Sequence, residues 1–287
     1  MLTLLEIVKR TSDFFDKRGI EQPRLNAELV IGHALGLDRM QLYLQFERLM
    51  TEAELVGVRG KVRRRGAREP LQYVLGTTAF HDLVLEVDRR VLAPRPETEQ
   101  LIERIRERVE PGPTRIIDLG TGSGAIALAL AQVFPKAAVV GVDSSSKALE
   151  VARANAGSNS LGDRVVFVES DWFDRIDPSE RFDLIVSNPP YLSEREWSEA
   201  PPEVREHEPR SALVADDDGY GALEAVLEAA RDRIEPGGHL FLETGMDQHA
   251  RLVATARGLG YAEVESLHDW SGRDRFLVAS GPEWASQ

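Results

Sequence analysis

The five residues Ser187-Asn188-Pro189-Pro190-Tyr191 follow a short apolar run at 182–186 that reads as a buried strand. Two adjacent prolines carry no backbone N–H, so this corner offers a visitor carbonyl oxygens and little else. The Asn188 side chain adds another acceptor and Tyr191 adds a flat face. A planar –NH2 group suits such a site, because its two hydrogens need two acceptors while its nitrogen stays open to reaction. The residues therefore point to chemistry on an amide or an aromatic amine. Without that chemistry the same string is a strand ending in a proline turn.

A second constellation lies upstream. Asp118-Leu119-Gly120-Thr121-Gly122-Ser123-Gly124 sits where a strand gives way to a helix. Glycines allow close backbone approach there, and the helix N-terminus offers N–H donors to a carboxylate or phosphate. No Gly-Lys-Ser/Thr follows, so this is not a P-loop. Asp143 ends the next strand, where a carboxylate can accept both hydroxyls of a ribose. Asp171 and Trp172 follow the third strand and offer an acceptor for an amine and a face for adenine. Together these positions describe an adenosine pocket, although the glycine run alone would also suit a dinucleotide.

The elements that must carry these residues follow from periodicity. Residues 1–70 read as a helical bundle, with apolar residues three and four apart: Leu4, Leu5, Val8 and Phe15; Leu25, Leu29 and Val30; Leu55, Val58 and Val62. Thr51 and Glu54 have capping-box spacing, and Pro70 is expected to stop the last helix. Alternation at Leu83, Leu85 and Val87 predicts a short β-hairpin. From residue 115 strands alternate with helices, the pattern of an α/β fold with a doubly wound, mostly parallel, seven-stranded sheet. The strands fall near 116–119, 139–142, 165–168, 182–186, 239–242, 262–266 and 276–279. Helices are expected at 125–134, 147–156, 222–234 and 248–259. The organisation is thus a helical domain at 1–75, a hairpin linker at 76–92 and the main domain at 93–287. The 192–219 connection is too long for an ordinary loop and reads as a lid or binding surface.

Composition narrows the classes. The chain has 287 residues, 42% hydrophobic and 29% charged, as expected of a soluble globular protein with one large and one small core. It has no cysteine, which removes disulfides, Cys-based zinc sites and thiol nucleophiles. Glu6 interrupts the first apolar stretch, unlike a secretory signal, and no run approaches a membrane span, so a cytoplasmic location is expected. The six histidines lack metal-ligand spacing and no metal is expected. Net charge is −13, which opposes stable nucleic-acid binding. Residues 1–70 carry 13 Lys and Arg against 10 Asp and Glu, which leaves −16 for 71–287. Much of the basic excess, at Arg59, Lys61, Arg63, Arg64, Arg65 and Arg68, reads as a solvated helix end before it reads as a docking patch.

With those residues in place, the chain resembles the class I S-adenosylmethionine-dependent methyltransferases. More closely, it is similar to the peptide chain release factor N5-glutamine methyltransferases. The similarity runs through residues 69–76, Pro94-Arg95-Pro96-Glu97-Thr98-Glu99, the Asp118 to Gly124 loop, Ser170-Asp171-Trp172-Phe173 and Asn188-Pro189-Pro190-Tyr191. It continues at Glu208-Pro209, Ala212-Leu213 and Gly272-Arg273-Asp274-Arg275. The Pro-Arg-Pro-Glu-Thr-Glu run and the helical domain are its most specific parts. The resemblance implies S-adenosyl-L-methionine as methyl donor and the glutamine of a Gly-Gly-Gln motif in release factors as acceptor. Carried over by position, Gly120, Thr121, Gly122, Ser123, Gly124, Asp143, Trp172 and Asn188 line the cofactor. Asn188, Pro189, Pro190 and Tyr191 hold the glutamine, and Asn188, Pro189 and Tyr191 are the candidate catalytic residues. An adenine-amine methyltransferase acting on DNA or RNA is the main rival, since that amine is planar too. A different protein's glutamine remains open as acceptor. A dinucleotide-binding dehydrogenase has the glycine loop but leaves residues 188–191 without a purpose, and a non-catalytic binding module ranks last while every pocket element is intact.

Overall fold

The computed structural model describes residues 2–281. The last six residues of the expected main domain, 282–287, lie outside the described residues. The chain divides into two compact units, one of Met1–Thr77 with Pro201–His207 and the other of Thr78–Ala200 with Glu208–Gln287.

The first unit contains α1 (Leu4–Asp16), α2 (Pro23–Leu35), α3 (Arg39–Leu44), α4 (Glu52–Gly66) and α5 (Leu71–Leu75). Capping boxes start three of them, at Thr3 with Glu6, Asp38 with Gln41 and Thr51 with Glu54; each satisfies backbone N–H groups that a first helical turn leaves open. Leu4, Val8 and Phe15 from α1 meet Ala27, Val30 and Ile31 from α2 and Leu55 and Val58 from α4 in one core. Pro70 does not stop α4. That helix already ends at Gly66, and Pro70 stands at the N-cap of α5, where a residue needs no helical N–H.

The basic run is a solvated helix end only in part: Arg59, Arg63 and Arg64 are exposed, whereas Arg65 and Arg68 turn to buried or partly buried partners. Arg65 is 6% exposed, and it donates to Asn26 Oδ1 at 2.8 Å and to Glu203 Oε1 at 2.9 Å. Arg68 grips the same Glu203 with two bonds, at 2.7 and 2.6 Å, and Arg64 forks onto Glu69. Arg65→Ala is expected to destabilise the protein at the low end of the roughly 3–5 kcal/mol seen when a buried pair loses a member. The low end applies because Arg68 still holds Glu203. Urea unfolding followed by circular dichroism measures it.

The second unit opens with the hairpin of β1 (Thr77–Phe80) and β2 (Leu83–Glu86), then α6 (Pro96–Arg108). The alternation follows: β3 (Arg115–Leu119), α7 (Ala125–Val133), β4 (Ala138–Asp143), α8 (Ser146–Ser158), β5 (Val165–Glu169) and β6 (Phe182–Ser187). The long connection folds into α9 (Glu194–Glu199) and a 3₁₀ turn at Arg210–Ala212, and the helix between them in the chain, α10 (Pro202–His207), belongs to the first unit. The chain then closes through α11 (Gly221–Arg231), β7 (Ile234–Glu243), α12 (His249–Gly258), β8 (Val264–His268) and β9 (Asp274–Ser280). Ile234 thus begins a strand instead of ending a helix, because α11 stops at Arg231.

The seven strands form one sheet in the order β5-β4-β3-β6-β7-β9-β8, with only β9 running antiparallel to its neighbours. Strand residues alternate between two apolar layers. Ile116, Leu184, Val186 and Phe241 face Leu101, Ile105 and the alanine-rich α7. Ile117, Leu119, Ile185 and Leu242 face Leu223, Leu227 and Leu252 from α11 and α12. Winding goes outward from β3 to β5 and then returns to β6 beside β3, so the switch point lies between β3 and β6. Open α/β sheets bind ligands there, beyond the carboxyl ends of the strands. Among the described residues no helix is long and apolar enough to cross a membrane.

Candidate active site

A cavity of about 600 Å³ opens at that switch point, within the size range of small-molecule sites. Its lining includes Gly120, Thr121, Gly122, Ser123, Asp143, Trp172, Asn188 and Pro190, so the two constellations read from the sequence meet in one space. Gly124, Pro189 and Tyr191 are not part of that lining.

The loop after β3 is held by the strand beside it. Thr121 N–H donates to Val142 O at 2.8 Å, and the Asp143 carboxylate accepts from Gly122 N at 2.9 Å and Ser145 N at 2.8 Å. Gly122 has φ +56° and Gly124 φ +82°, the left-handed region that side chains resist. A Cβ on Gly124 would also stand 3.2 Å from the Ala152 Cβ. Each Asp143 oxygen uses one lone pair on backbone and keeps another, so the carboxylate can still accept two hydroxyls. Burial raises its pKa above the ordinary carboxylate value, against the lowering effect of those two N–H bonds. The glycine turn, the free lone pairs of Asp143 and the Trp172 ring fit an adenosine-containing cofactor.

Asp118 sits beneath the loop, fully buried. Its Oδ2 accepts from Thr121 Oγ1 at 2.6 Å and from Ala127 N at 3.1 Å at the start of α7, while Oδ1 has no hydrogen-bond partner. Burial pushes its pKa up to about 7, with a smaller contribution from the Asp143 charge. The folded state therefore binds a proton that the unfolded chain releases near pH 4, so this group's share of stability is present at low pH and is lost as pH rises toward 7. Asp118→Asn removes that dependence. The stability difference between wild type and D118N, from chemical denaturation at a series of pH values, is expected to turn against wild type across this window.

The corner at β6 is organised by two residues for which sequence reasoning found no such role. Asn188 Nδ2 donates to Thr98 Oγ1 at 3.2 Å, and Thr98 Oγ1 donates to Glu243 Oε2 at 2.8 Å. Tyr191 Oη donates to the other carboxylate oxygen, Glu243 Oε1, at 3.4 Å. Thr98 belongs to the first turn of α6 and Glu243 to the last position of β7. Glu243 is 1% exposed, and burial pushes its pKa up to about 7, opposed by the Thr98 bond and the Arg275 charge. Burial and the Glu243 charge raise the Tyr191 phenol, which stays neutral. The sequence held one signal for Glu243, a lone carboxylate at the carboxyl end of an apolar strand. Thr98 was legible only as part of the Pro-Arg-Pro-Glu-Thr-Glu run.

Arg95, from the same run, is ion-paired with the buried Glu208, and Pro209, Ser211 and Ala212 complete one wall of the cavity. Part of the long connection is thus a wall of the site.

The family model of the PrmC N-terminal domain matches residues 6–76, and that of a methyltransferase domain matches residues 112–271. A release factor glutamine methyltransferase of Rhodopirellula baltica is 41% identical over 283 residues, covering 96% of this chain and 95% of that one. One of Chlorobaculum tepidum is 41% identical over 286 residues, covering 96% of each. In fold, a methyltransferase from Pyrococcus furiosus superposes with a TM-score of 0.54 at 20% identity, over 71% of this chain and 91% of that one.

Proposed function

The chain belongs to the release factor glutamine methyltransferases, and from that premise we propose that it methylates the side-chain amide nitrogen of the glutamine in the Gly-Gly-Gln motif of peptide chain release factors. S-adenosylmethionine supplies an electrophilic methyl group to such a reaction. Asp143 would hold its ribose, the Gly120 to Gly124 turn its amino-acid end and Trp172 its adenine.

An amide nitrogen is a weak nucleophile because its lone pair is shared with the carbonyl. The chain's contribution is to accept the amide's two hydrogens, at Asn188 Oδ1 and the Pro189 backbone carbonyl, and so draw electron density onto nitrogen. Fixed acceptors of this kind favour positive charge as it grows there, without reorganising. Alignment adds up to about 7–11 kcal/mol in well-oriented reactions. The observation that carries this reading is the Asn188–Thr98 bond. It occupies the amide's NH2 and leaves Oδ1, the acceptor a carboxamide substrate needs, for the substrate.

The adenine-amine alternative is not favoured: residues 71–287 carry −16, a poor match to a polyanion. The deciding experiment incubates the protein with methyl-labelled S-adenosylmethionine and purified release factor and maps the label by mass spectrometry. Label on the Gly-Gly-Gln glutamine is the expected result, and label on nucleic acid would reverse the conclusion. We further propose that the acceptor is met in the cytoplasm, where release factors act.

A further inference from the structure

A threonine hydroxyl has one hydrogen to give, and the partner that takes it decides everything upstream. An ionised Glu243 can only accept, so the Thr98 hydrogen is committed to Oε2 at 2.8 Å. Thr98 Oγ1 is then an acceptor toward Asn188, 3.2 Å away, and the Asn188 NH2 must turn to it. Tyr191 secures the other carboxylate oxygen. The direction of the whole chain of bonds is set by a carboxylate at the end of β7 that does not line the cavity.

We propose that Thr98 and Glu243 are positioning residues that fix which edge of the Asn188 carboxamide faces the substrate, through the one-way run of hydrogen bonds from Asn188 to Thr98 to Glu243. This rests on the glutamine-methylation reading for its consequence in turnover. A neutral Glu243 can place its proton on Oε2, donate to Thr98 and release the Thr98 hydrogen toward Asn188. The Asn188 carboxamide then turns over and meets the substrate's NH2 with its own, donor against donor. The charged and titratable groups facing Glu243 are Glu97 on α6, Tyr191 after β6 and Arg275 on β9. Glu97 raises its pKa and Arg275 lowers it, while Arg275 itself donates to Thr244 O at 2.9 Å. Burial outweighs them and brings the carboxyl to about 7, inside the range where a cell-like pH can tip it.

Two measurements test the relay. The side-chain 15N signal of Asn188 can be followed in the full chain labelled at asparagine, with Asn26, Asn155 and Asn159 as internal controls. In wild type it is expected to shift with a midpoint near neutrality, and in Thr98→Val it is expected to stay still. A wild-type Asn188 signal that ignores pH between about 5.5 and 8.5 overturns the proposal. This readout needs no methyl transfer, so it stands apart from the functional assignment, which fails separately if the release factor glutamine gains no label.

Turnover supplies the second measurement. Wild-type kcat is expected to rise as Glu243 ionises, whereas Thr98→Val loses about 10–100-fold at high pH, the range for removing an outer partner that orients a reacting ligand, and loses the pH step as well. Thr98→Ser restores both, and Glu243→Gln gives a low kcat that is flat with pH. A Thr98→Val enzyme that keeps the wild-type pH step would show that Glu243 acts by another route and would refute the relay.

Discussion

Asn188→Ala is expected to lower kcat by about 10²–10³, the loss typical when one fixed partner of a developing charge is deleted, while the affinity for S-adenosylmethionine stays within a few-fold of wild type. The reason is geometric. Asn188 gives the substrate amide one of its two acceptors, and alanine leaves one amide hydrogen without a partner at the moment nitrogen becomes positive. The framework around it survives, since Thr98 keeps its bond to Glu243 at 2.8 Å and Tyr191 keeps its bond to the same carboxylate. Single-turnover kinetics with saturating cofactor measure the first quantity and calorimetric titration the second. An affinity loss as large as the turnover loss would contradict the role, because it would make Asn188 chiefly a cofactor contact.

That expectation can be drawn from residues 188–191 because the chemistry of the corner is local. Two prolines and an asparagine state their acceptor character wherever they are placed. The sheet was legible for a related reason: strands buried on both faces, such as Arg115–Leu119 and Phe182–Ser187, read as mainly apolar runs, each broken by a single carboxylate, Asp118 or Asp183. Ile234 misled for the same reason, since an apolar residue just past a helix looks like its last turn when it is the first residue of β7.

What the sequence hid are pairings between distant positions. Thr98 and Glu243 are 145 residues apart, and Asn188 and Thr98 are 90 apart; neither separation leaves a periodic trace. Thr98 stands in the acidic first turn of α6 between Glu97 and Glu99, where the helix dipole alone accounts for the two acids and nothing in the local sequence marks the threonine. The basic run departs from its reading at one residue above all, since Arg59, Arg63 and Arg64 are exposed as expected. Charge and spacing on α4 suggest exposure, but Arg65 turns inward because Asn26 and Glu203 wait for it, and Glu203 lies 138 residues along the chain.

Asp143→Ala is the converse of Asn188→Ala and has the other large expected effect: the Kd for S-adenosylmethionine rises about 100-fold or more, with kcat at saturating cofactor changed only a few-fold. A hydrogen bond to a charged acceptor contributes roughly 1.5–3 kcal/mol, so losing a carboxylate that accepts two ribose hydroxyls costs on the order of a hundredfold even if one bond is partly replaced by water. Part of the loss has another origin. Asp143 also accepts from Gly122 N and Ser145 N, and alanine frees both donors, loosening the turn that shapes the cavity floor. Asp143→Asn separates the contributions. Its oxygen can serve one backbone N–H while its NH2 opposes the other, so the loop suffers in both variants but only the asparagine keeps a side-chain acceptor near the ribose. Thermal unfolding without cofactor measures the loop, and calorimetry measures the ribose. A ribose role predicts that D143N binds more tightly than D143A at equal loss of stability; equal Kd values would leave Asp143 a loop brace and move the ribose contact elsewhere in the cavity.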